Sequence, residues 1–356
     1  MRPCSPGLIP TSKLRLCLNR ARLTRARLLQ PGAHEDHDVR IRTLRGVLFI
    51  VLVAAFLAPR ALDAERAVFR SSSHTLSLFA LPGETITFDL ASYAGLPVRM
   101  LPSIGVVADK HLQVVLHDHR FQVAAPRQPG IYGVLLQEPA PDKKVKPLPY
   151  RMQVVVMRSA DDAQSGVLNG YPLGTFPSSG DGERWRFERP RGFVEITEAN
   201  RNIPLTDHFR LGDLDCKLER PYPHYAVIQT SLLVKLEGLV DVLNRRGLPG
   251  KHMKIMSGFR TPDYNREIGN ETTYSRHIAG DAADIFLDRN NDGRMDDLNR
   301  DGRVNRRDAG LLLSIVEGMD ESPEYGALVG GASAYRANAS HGPFLHVDAR
   351  GYPARW

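Results

Sequence analysis

The sequence is poor in cysteine. It contains three cysteines in 356 residues, and two of them, Cys4 and Cys17, lie in an N-terminal leader segment. Beyond that leader Cys216 stands alone, so no intrachain disulfide can form in the mature protein. A single cysteine within DLDCKLE is typical of a small buried side chain. We therefore expect Cys216 to be buried and the fold to be stabilised by packing.

Net charge is also missing from most of the chain. The formal charge is +7, but residues 1–46 hold ten Lys/Arg and three Asp/Glu, which accounts for all of it. The residues after position 46 carry 37 basic and 37 acidic side chains. A basic face that follows a nucleic-acid backbone is therefore not supported for the folded part, and no nucleic-acid partner is expected.

Long apolar runs are scarce too. The run GVLFIVLVAAFL, residues 46–57, follows the arginines of 40–45. It is shorter than the roughly 20 residues of a membrane-spanning helix, and its layout is that of a signal peptide with small residues at Ala61 and Ala64 for cleavage. We expect residues 1–64 to be a leader and the protein to be exported to the periplasm or cell envelope. A retained inner-membrane anchor is the alternative.

Short alternating apolar segments dominate residues 65–160 and predict β-strands. They are separated by turn residues such as PGE and RQPG, which favours an all-β, sandwich-like domain. Residues 161–204 are rich in Gly, Pro and Ser and are interpreted as a linker. The strand segments are HTLSLFAL, ETITFDL, LQVVLHDH, IYGVLLQE and YRMQVVVM.

The C-terminal region, residues 205–356, has a different pattern. Apolar residues recur at helical spacing over 226–246 and stop at Gly247, which predicts an amphipathic helix. Residues 254–256 alternate and predict a strand. The expected fold class is α+β, with a small antiparallel sheet and flanking helices in this C-terminal domain.

Three side chains in this region form a candidate metal site. The segment SRHIAGDAADIFLD places His277 seven residues before Asp284, and HGPFLHVDARG adds His346. Three nitrogen or oxygen ligands suit catalytic zinc, which keeps a fourth position for water. AADIFL has β character, so Asp284 is expected on a strand and His277 in the loop before it. On spacing alone, an ordinary surface pair of His and Asp remains the alternative.

Three ordered segments resemble the metallo-DD-peptidases, the M15-like family of D-alanyl-D-alanine carboxypeptidases and murein endopeptidases. They are SGFRTP, SRHIAGDAADI and HVDARGYPARW. The resemblance implies that His277, Asp284 and His346 bind zinc. It also implies that Arg260 holds a substrate carboxylate or the developing oxyanion, a task that suits a planar guanidinium. A structural salt bridge is the alternative role for Arg260.

The general base departs from that family pattern. Pro343 and Phe344 stand where many members have an acid or a histidine, and neither side chain can accept a proton. His341 is the nearest titratable residue upstream of His346, and we expect it to serve as the base. Asp348 shares a strand face with His346 and is expected to orient its imidazole.

A second metal is predicted in an insert, residues 288–308. The spacing matches positions 1, 3, 5, 6, 7 and 12 of a calcium-binding EF-hand loop, with an Asp in place of the usual Glu at the last position. A helix is expected to follow, and an acidic solvated hairpin is the alternative. The residues at these positions are Asp297, Asn299, Asp301, Gly302, Arg303 and Asp308.

The resemblance implies a zinc-dependent peptidase that hydrolyses peptide stems or cross-links of peptidoglycan through a metal-activated water. Its partners would be peptidoglycan peptides. Two alternatives remain open: a non-catalytic cell-wall-binding protein that retains the peptidase fold, and a hydrolase of other peptides. The residues do not choose between endopeptidase and carboxypeptidase action.

Overall fold

The structure is a computed structural model, and the predicted leader, residues 1–64, lies outside the residues that it describes. The predicted signal segment and the export it implies therefore stay predictions. Within the described part of the chain, no helix is long and apolar enough to cross a membrane. The described residues are 74–89, 105–117, 120–137, 150–178 and 187–356.

Strands are distributed along the whole described chain, whereas the described α-helices all lie after residue 229. The strands are β1 (Thr75–Ala80), β2 (Thr85–Asp89), β3 (Gly105–Ala108), β4 (Gln113–His117), β5 (Arg120–Ala124), β6 (Gly130–Gln137), β7 (Tyr150–Val156), β8 (Arg158–Ser159), β9 (Val167–Leu168), β10 (Tyr171–Pro172), β11 (Gly192–Ile196), β12 (His224–Ala226), β13 (Met253–Ser257), β14 (Ala282–Leu287), β15 (Gly331–Tyr335), β16 (Phe344–Asp348) and β17 (Ala354–Arg355). The helices are α1 (Thr230–Arg245), α2 (Pro262–Glu267), α3 (Arg276–Ala279) and α4 (Arg306–Asp320). Short 3₁₀ helices cover Ala160–Asp162, Leu211–Leu214, Gly250–His252 and Gly326–Leu328.

The predicted N-terminal strands are confirmed as β1, β2, β4, β6 and β7. They lie in a four-stranded sheet of order β1-β7-β6-β3 and a three-stranded sheet of order β2-β5-β4. One pairing differs from the antiparallel arrangement expected of a sandwich, because β1 pairs with β7 in parallel and Thr75 faces Arg151. No hairpin joins these two distant segments, so no turn dictates their relative direction.

Residues 161–204, interpreted as a linker, contain three short strands where the structure describes them. β9 and β10 form a hairpin, and β11 pairs with both β8 and β12. Phe193, Val194 and Ile196 of β11 are buried. The described part of this segment is therefore packed into the fold through strand pairing and buried side chains.

Hydrogen bonds also connect β1 to the C-terminal region. The Ser77 hydroxyl donates to the carbonyl of Leu205 at 2.8 Å, and the Thr230 hydroxyl at the start of α1 donates to the carbonyl of Ser77 at 3.2 Å. Ser77 itself is fully buried. The first strand is therefore packed against the region that carries the candidate metal site.

The predicted amphipathic helix is confirmed as α1, and its apolar face is buried. Two charged residues of the same helix are buried as well, and each has a partner. Lys235 donates to Asp320 at 3.0 Å, and Glu237 accepts from His208. Buried charges are tolerated when they are paired in this way.

A five-stranded sheet of order β13-β14-β16-β15-β17 forms the centre of the C-terminal region. Its pairings are antiparallel except for β15 with β17, and α4 packs against β15 and β16. Side chains alternate between the two faces, so Ile285, Leu345 and Val347 enter the core while Asp284 and His346 point to the other face. The expected mixture of helices and a small, mainly antiparallel sheet is present. Cys216 is free and buried, as predicted.

Candidate metal centre

Three ligand atoms converge on one face of the central sheet. Nε2 of His277 lies 3.2 Å from Oδ1 of Asp284, Nδ1 of His346 lies 3.0 Å from the same oxygen, and the two nitrogens are 3.2 Å apart. Zinc–ligand bonds of about 2.0–2.1 Å in a tetrahedral site put ligand atoms about 3.3 Å from one another. All three residues are buried. The donor set and its spacing therefore fit a single zinc ion with three protein ligands.

The three ligands come from two adjacent strands and one short helix. Asp284 on β14 and His346 on β16 are direct cross-strand partners. His277 lies in α3, a single helical turn, so its predicted loop position is wrong. Gly280 ends this turn with φ +73°, and a Cβ there would lie 2.3 Å from the carbonyl oxygen of Val227. Glycine is required at this turn because it tolerates both the left-handed backbone and the close approach.

Each imidazole ligand is held through its other nitrogen. Nδ1 of His277 donates to the carbonyl of Gly258 at 2.7 Å. A carbonyl can only accept, so this bond fixes the tautomer and leaves Nε2 of the neutral ring with a lone pair. Nε2 of His346 lies 3.3 Å from Oδ2 of Asp348, in the place predicted for an orienting carboxylate. Such partners orient metal-binding histidines and fix their tautomers.

Arg260 occupies the third supporting position. Its guanidinium donates to Oδ2 of Asp284, while its Nε donates to the hydroxyl of Ser257 at 2.9 Å. Arg260 also lines the cavity over the site. The predicted substrate contact stays a prediction. In this conformation Arg260 forms the salt bridge that was its alternative role.

Asp348 is itself held by groups that the sequence reasoning missed. Arg350 donates through Nε to both carboxylate oxygens, at 2.9 and 3.0 Å, and the backbone N–H of Gly331 donates at 2.7 Å. Asp348 is completely buried. The i, i+2 spacing of Asp348 and Arg350 in HVDARG was the available signal.

The charges of the site are strongly coupled. Burial opposes ionisation of Asp284, but the contacts with His277 and His346 lower the pKa of this carboxyl well below its usual range. Burial also opposes protonation of His346, but hydrogen bonds to Asp284 and Asp348 raise the pKa of its imidazole to about 9. Burial lowers the pKa of His277. In the absence of metal, His346 therefore holds the proton that a metal ion would displace.

A cavity of 1330 Å³ opens above the three ligands. Its wall includes His341, a residue that is distant in sequence from His277 and Asp284. Nδ1 of His341 donates to the carbonyl of Gly342 at 2.8 Å, which leaves Nε2 as the proton-accepting nitrogen of the neutral ring. The structure therefore places His341 in the same cavity as the ligands, with one nitrogen available to accept a proton.

Three further residues of this cavity were missed in the sequence: Glu271, Tyr335 and Trp356. Glu271 adds a second carboxylate to a wall that already includes Asp284. The ring of Trp356 lies 5.3 Å from that of His346, and its indole N–H donates to the hydroxyl of Tyr335 at 2.6 Å. The tryptophan of the HVDARGYPARW segment was the sequence signal for an aromatic ring next to His346.

The predicted calcium loop adopts a compact turn after β14. The carboxylate of Asp297 accepts the backbone N–H groups of Asp301 and Gly302 at 3.2 and 2.8 Å. Asn299 accepts the N–H of Asp301 at 2.9 Å, and Asp301 accepts that of Arg303 at 3.0 Å. The residues expected at positions 1 to 7 thus face the same turn. Calcium binding there stays a prediction.

Asp308, expected at position 12, closes the loop through the backbone. Its Oδ1 accepts from the N–H of Leu298 at 2.9 Å, and its Oδ2 accepts from that of Asn305 at 2.8 Å. The second bond is half of a capping box that starts α4, the helix predicted to follow the loop. A preceding segment, with Asp288, Asn290, Asp292 and Gly293 at positions 1, 3, 5 and 6, matches half of the same loop pattern. It shows the arrangement seen at Asp297, since Asp288 accepts from the N–H groups of Asp292 and Gly293.

Residues 224–312 match the protein-family model described as Peptidase M15. This segment is M15-like. The matched range begins at β12 and ends inside α4, so it includes Arg260, His277 and Asp284, and His346 follows it in the chain. The M15-like segment therefore supplies two of the three converging ligands and the arginine that binds one of them.

No curated protein matches the sequence. Among solved structures, the thioester domain of the Staphylococcus aureus TIE protein is 14% identical with a TM-score of 0.18, and the match covers 32% of this chain and 52% of that chain, about half of its length. A "putative alpha-galactosidase" of Bacteroides fragilis is 13% identical with a TM-score of 0.16, over 25% of this chain and 18% of that chain. Similarities this weak carry no argument about fold or function.

Proposed function

We propose that this protein is an exported, zinc-dependent peptidase that hydrolyses peptide stems or cross-links of peptidoglycan. One observation carries the proposal. The ligand atoms of His277, Asp284 and His346 converge at 3.0–3.2 Å, while the remaining polar atom of each side chain is held by a different partner. A chance cluster of two histidines and an aspartate would not need three separate supports.

When zinc is bound by these three residues, it supplies a Lewis acid that polarises the scissile carbonyl and makes a water molecule acidic near neutral pH. The chain itself supplies the arrangement. Asp348 orients His346, Gly258 orients His277, and Arg260 holds the outer oxygen of Asp284. No nucleophilic side chain is required for this hydrolysis.

The proton of the attacking water needs an acceptor in the cavity. His341 is our choice, because it lines the cavity and the hydrogen bond from its Nδ1 to Gly342 leaves Nε2 free to accept a proton. Glu271 lines the same cavity and is the competing candidate. Pro343 and Phe344 leave the positions used for the base in many metallo-DD-peptidases without one.

Peptidoglycan is proposed as the substrate on three grounds: the M15-like segment, the resemblance of the three motifs to murein peptidases, and the predicted export signal. The cavity of 1330 Å³ has room for several peptide residues and combines aromatic with charged walls. Both endopeptidase and carboxypeptidase action are compatible with such an open site.

Calcium is proposed as a structural ion in the loop 297–308. Carboxylate and amide oxygens of Asp297, Asn299 and Asp301 face one turn, which is the ligand type that calcium prefers. The related loop that starts at Asp288 directly continues β14, the strand that carries Asp284. We expect a calcium-selective chelator to lower the melting temperature and the activity of the zinc-loaded protein. Unchanged values of both would exclude this role.

The decisive experiment is digestion of purified peptidoglycan, with the released peptides weighed by mass spectrometry. We expect the zinc-loaded protein to release products, and we expect His277→Ala to release none and to bind less zinc. His111→Ala, which removes an exposed histidine of the N-terminal region, is the matched control and should retain both properties.

Two outcomes would contradict the proposal in different ways. A folded, zinc-loaded protein that binds peptidoglycan without releasing peptides would favour a non-catalytic cell-wall-binding protein. A protein that cleaves unrelated peptides but leaves peptidoglycan intact would retain the peptidase function and refute the substrate. The masses of the products also distinguish endopeptidase from carboxypeptidase cleavage.

A further inference from the structure

The cavity above the metal ligands continues into a second cavity. Met256 and His341 line both of them. The second cavity has a volume of 680 Å³, and three cationic side chains contribute to its wall: Lys217, Lys254 and Arg294. The same wall includes one carboxylate, that of Asp288, so its cations outnumber its anions by three to one. A substrate that lies over the candidate metal ligands can therefore extend past His341 into a neighbouring space with a net positive charge.

Lys217 is positioned by the segment around it. Cys216 and Leu218 on either side of it are buried, whereas Lys217 is exposed and lines the second cavity. The backbone N–H of Phe259 donates to the carbonyl of Leu214 at 3.0 Å. This bond holds the lysine segment against the SGFRTP segment, which also supplies Arg260 to the metal site.

The electrostatic surroundings of Lys217 favour an anion. Burial lowers the pKa of this lysine, the charge of Arg260 lowers it further, and Asp284 opposes the shift. The ammonium group is therefore near the metal site, yet no carboxylate among the described residues forms an ion pair with it. Lys254 differs, because its Nζ donates to the side chain of Asn291 at 2.8 Å.

Arg260, the nearby arginine, already has hydrogen-bond partners within the protein. The guanidinium of Arg260 donates to Asp284 and to Ser257, both parts of the protein itself. Among the described residues, Lys217 and Arg294 thus both line the second cavity with donors available for a ligand, and Lys217 is the one whose segment is held against the SGFRTP segment that supplies Arg260. A lysine beside another cation is most stable when an anion lies between or near them.

The substrate chemistry indicates which anion that is. A peptide cleaved before its last residue has a free α-carboxylate on the residue that follows the scissile bond. In a cross-link made through a side-chain amine, the amine-bearing residue has a free carboxylate only where that carboxyl group forms no further peptide bond. Carboxypeptidase cleavage therefore always presents a carboxylate close to the candidate metal site, and endopeptidase cleavage presents one when the amine-bearing residue has such a free carboxyl group.

We propose that Lys217 is a substrate-binding residue that pairs with the free carboxylate of the residue following the scissile bond. This inference rests on the proposed peptidase function and adds a specificity determinant to it. The charge-assisted hydrogen bond would favour substrates with a carboxylate over those with a carboxamide at the same position.

The test compares diacetyl-L-lysyl-D-alanyl-D-alanine with its C-terminal carboxamide as probes. Lys217→Met should raise the KM of the carboxylate peptide by about tenfold or more, the loss expected for a hydrogen bond to a charged group. Its kcat, and the KM of the carboxamide, should change little. Lys217→Arg should retain most of the preference for the carboxylate. Lys251→Met, the same change at an exposed lysine outside both cavities, is the control.

Equilibrium binding of the same two peptides separates this inference from the proposed function. If the wild type binds the carboxylate form more tightly and Lys217→Met loses that preference, Lys217 is supported even when neither peptide is cleaved. Failure of cleavage then counts against the peptidase proposal alone. If the wild type binds both forms equally or binds neither, or if Lys217→Met weakens both to the same extent, the role of Lys217 is refuted.

Discussion

Oδ2 of Asp348 lies 3.3 Å from Nε2 of His346, on the side of the imidazole opposite to the metal-facing Nδ1. The two residues are two positions apart on β16, so their side chains share one face of the sheet. Arg350 and the backbone of Gly331 hold the carboxylate in place. His346, a candidate metal ligand, therefore has a fixed ring orientation in the absence of an ion.

Replacement of Asp348 with Asn should weaken zinc binding by about 10–100-fold, the usual effect of removing an orienting carboxylate behind a metal-binding histidine. Asparagine has nearly the same shape as aspartate but lacks the negative charge that interacts with Arg350 and His346. Competition against a chromogenic chelator measures the zinc affinity. Asp161→Asn, at an exposed aspartate far along the chain, is the control. A folded Asp348→Asn protein with wild-type zinc affinity would contradict this role.

The proton acceptor can be identified by comparing two variants of the cavity wall. If His341 is the base, His341→Ala should lower kcat by about 10²–10⁴, the typical contribution of general base catalysis. Glu271→Gln should then stay close to the wild type. Steady-state kinetics on a defined cross-linked peptide measures both. A larger loss of kcat in Glu271→Gln would assign the base to the carboxylate instead.

The parts of the fold that were predictable have local signals. The spacing of apolar residues is sufficient for α1, and β14 and β16 have clear β character. The three proposed ligands were found because their motifs resemble those of a known family. The structure adds that Asp284 and His346 are direct cross-strand partners, a pairing of residues 62 positions apart.

The parts that were not predictable depend on distant or very short contacts. His277 lies in a helix of one turn, which is too short to show any periodicity. The parallel pairing of β1 with β7 involves no hairpin turn, so the sequence contains no local signal for it. Glu271 and Trp356 enter the cavity wall from loops and the chain end, and only the packed structure brings them beside the ligands.

The pair formed by His208 and Glu237 should make stability depend on pH. Nδ1 of His208 lies 2.7 Å from the buried carboxylate of Glu237, and this hydrogen bond raises the pKa of the histidine although burial opposes the shift. A raised pKa in the folded state contributes stability that is fully present below the unfolded value of about 6.5 and is lost as the pH rises through the folded value.

The expected result is therefore a larger loss of stability in His208→Ala at pH 5.5 than at pH 9, measured as the free energy of unfolding in urea. Glu237→Gln is the matched background, because it keeps a hydrogen-bond acceptor but removes the charge. In that background the pH dependence of the His208→Ala effect should shrink, as a double-mutant cycle would show. A loss that is larger at pH 9 would contradict the assigned direction.

Gly280 links two parts of the candidate metal site, since it ends the turn that carries His277 and leads into the strand that carries Asp284. Its φ of +73° is unfavourable for other residues, and a Cβ would lie 2.3 Å from the carbonyl oxygen of Val227. Gly280→Ala should therefore destabilise the protein by more than the roughly 1 kcal/mol typical of a left-handed glycine, and it should weaken zinc binding by displacing His277.

Gly269 provides the control for this last prediction. It has a similar φ of +80°, but no heavy atom lies within 4 Å of the position that its Cβ would occupy. Gly269→Ala thus measures the backbone strain alone, and the difference between the two variants measures the contact with Val227. Urea unfolding and zinc competition should show a larger effect for Gly280→Ala in both measurements. Equal effects of the two substitutions would mean that the close approach at Gly280 relaxes at little cost and does not position His277.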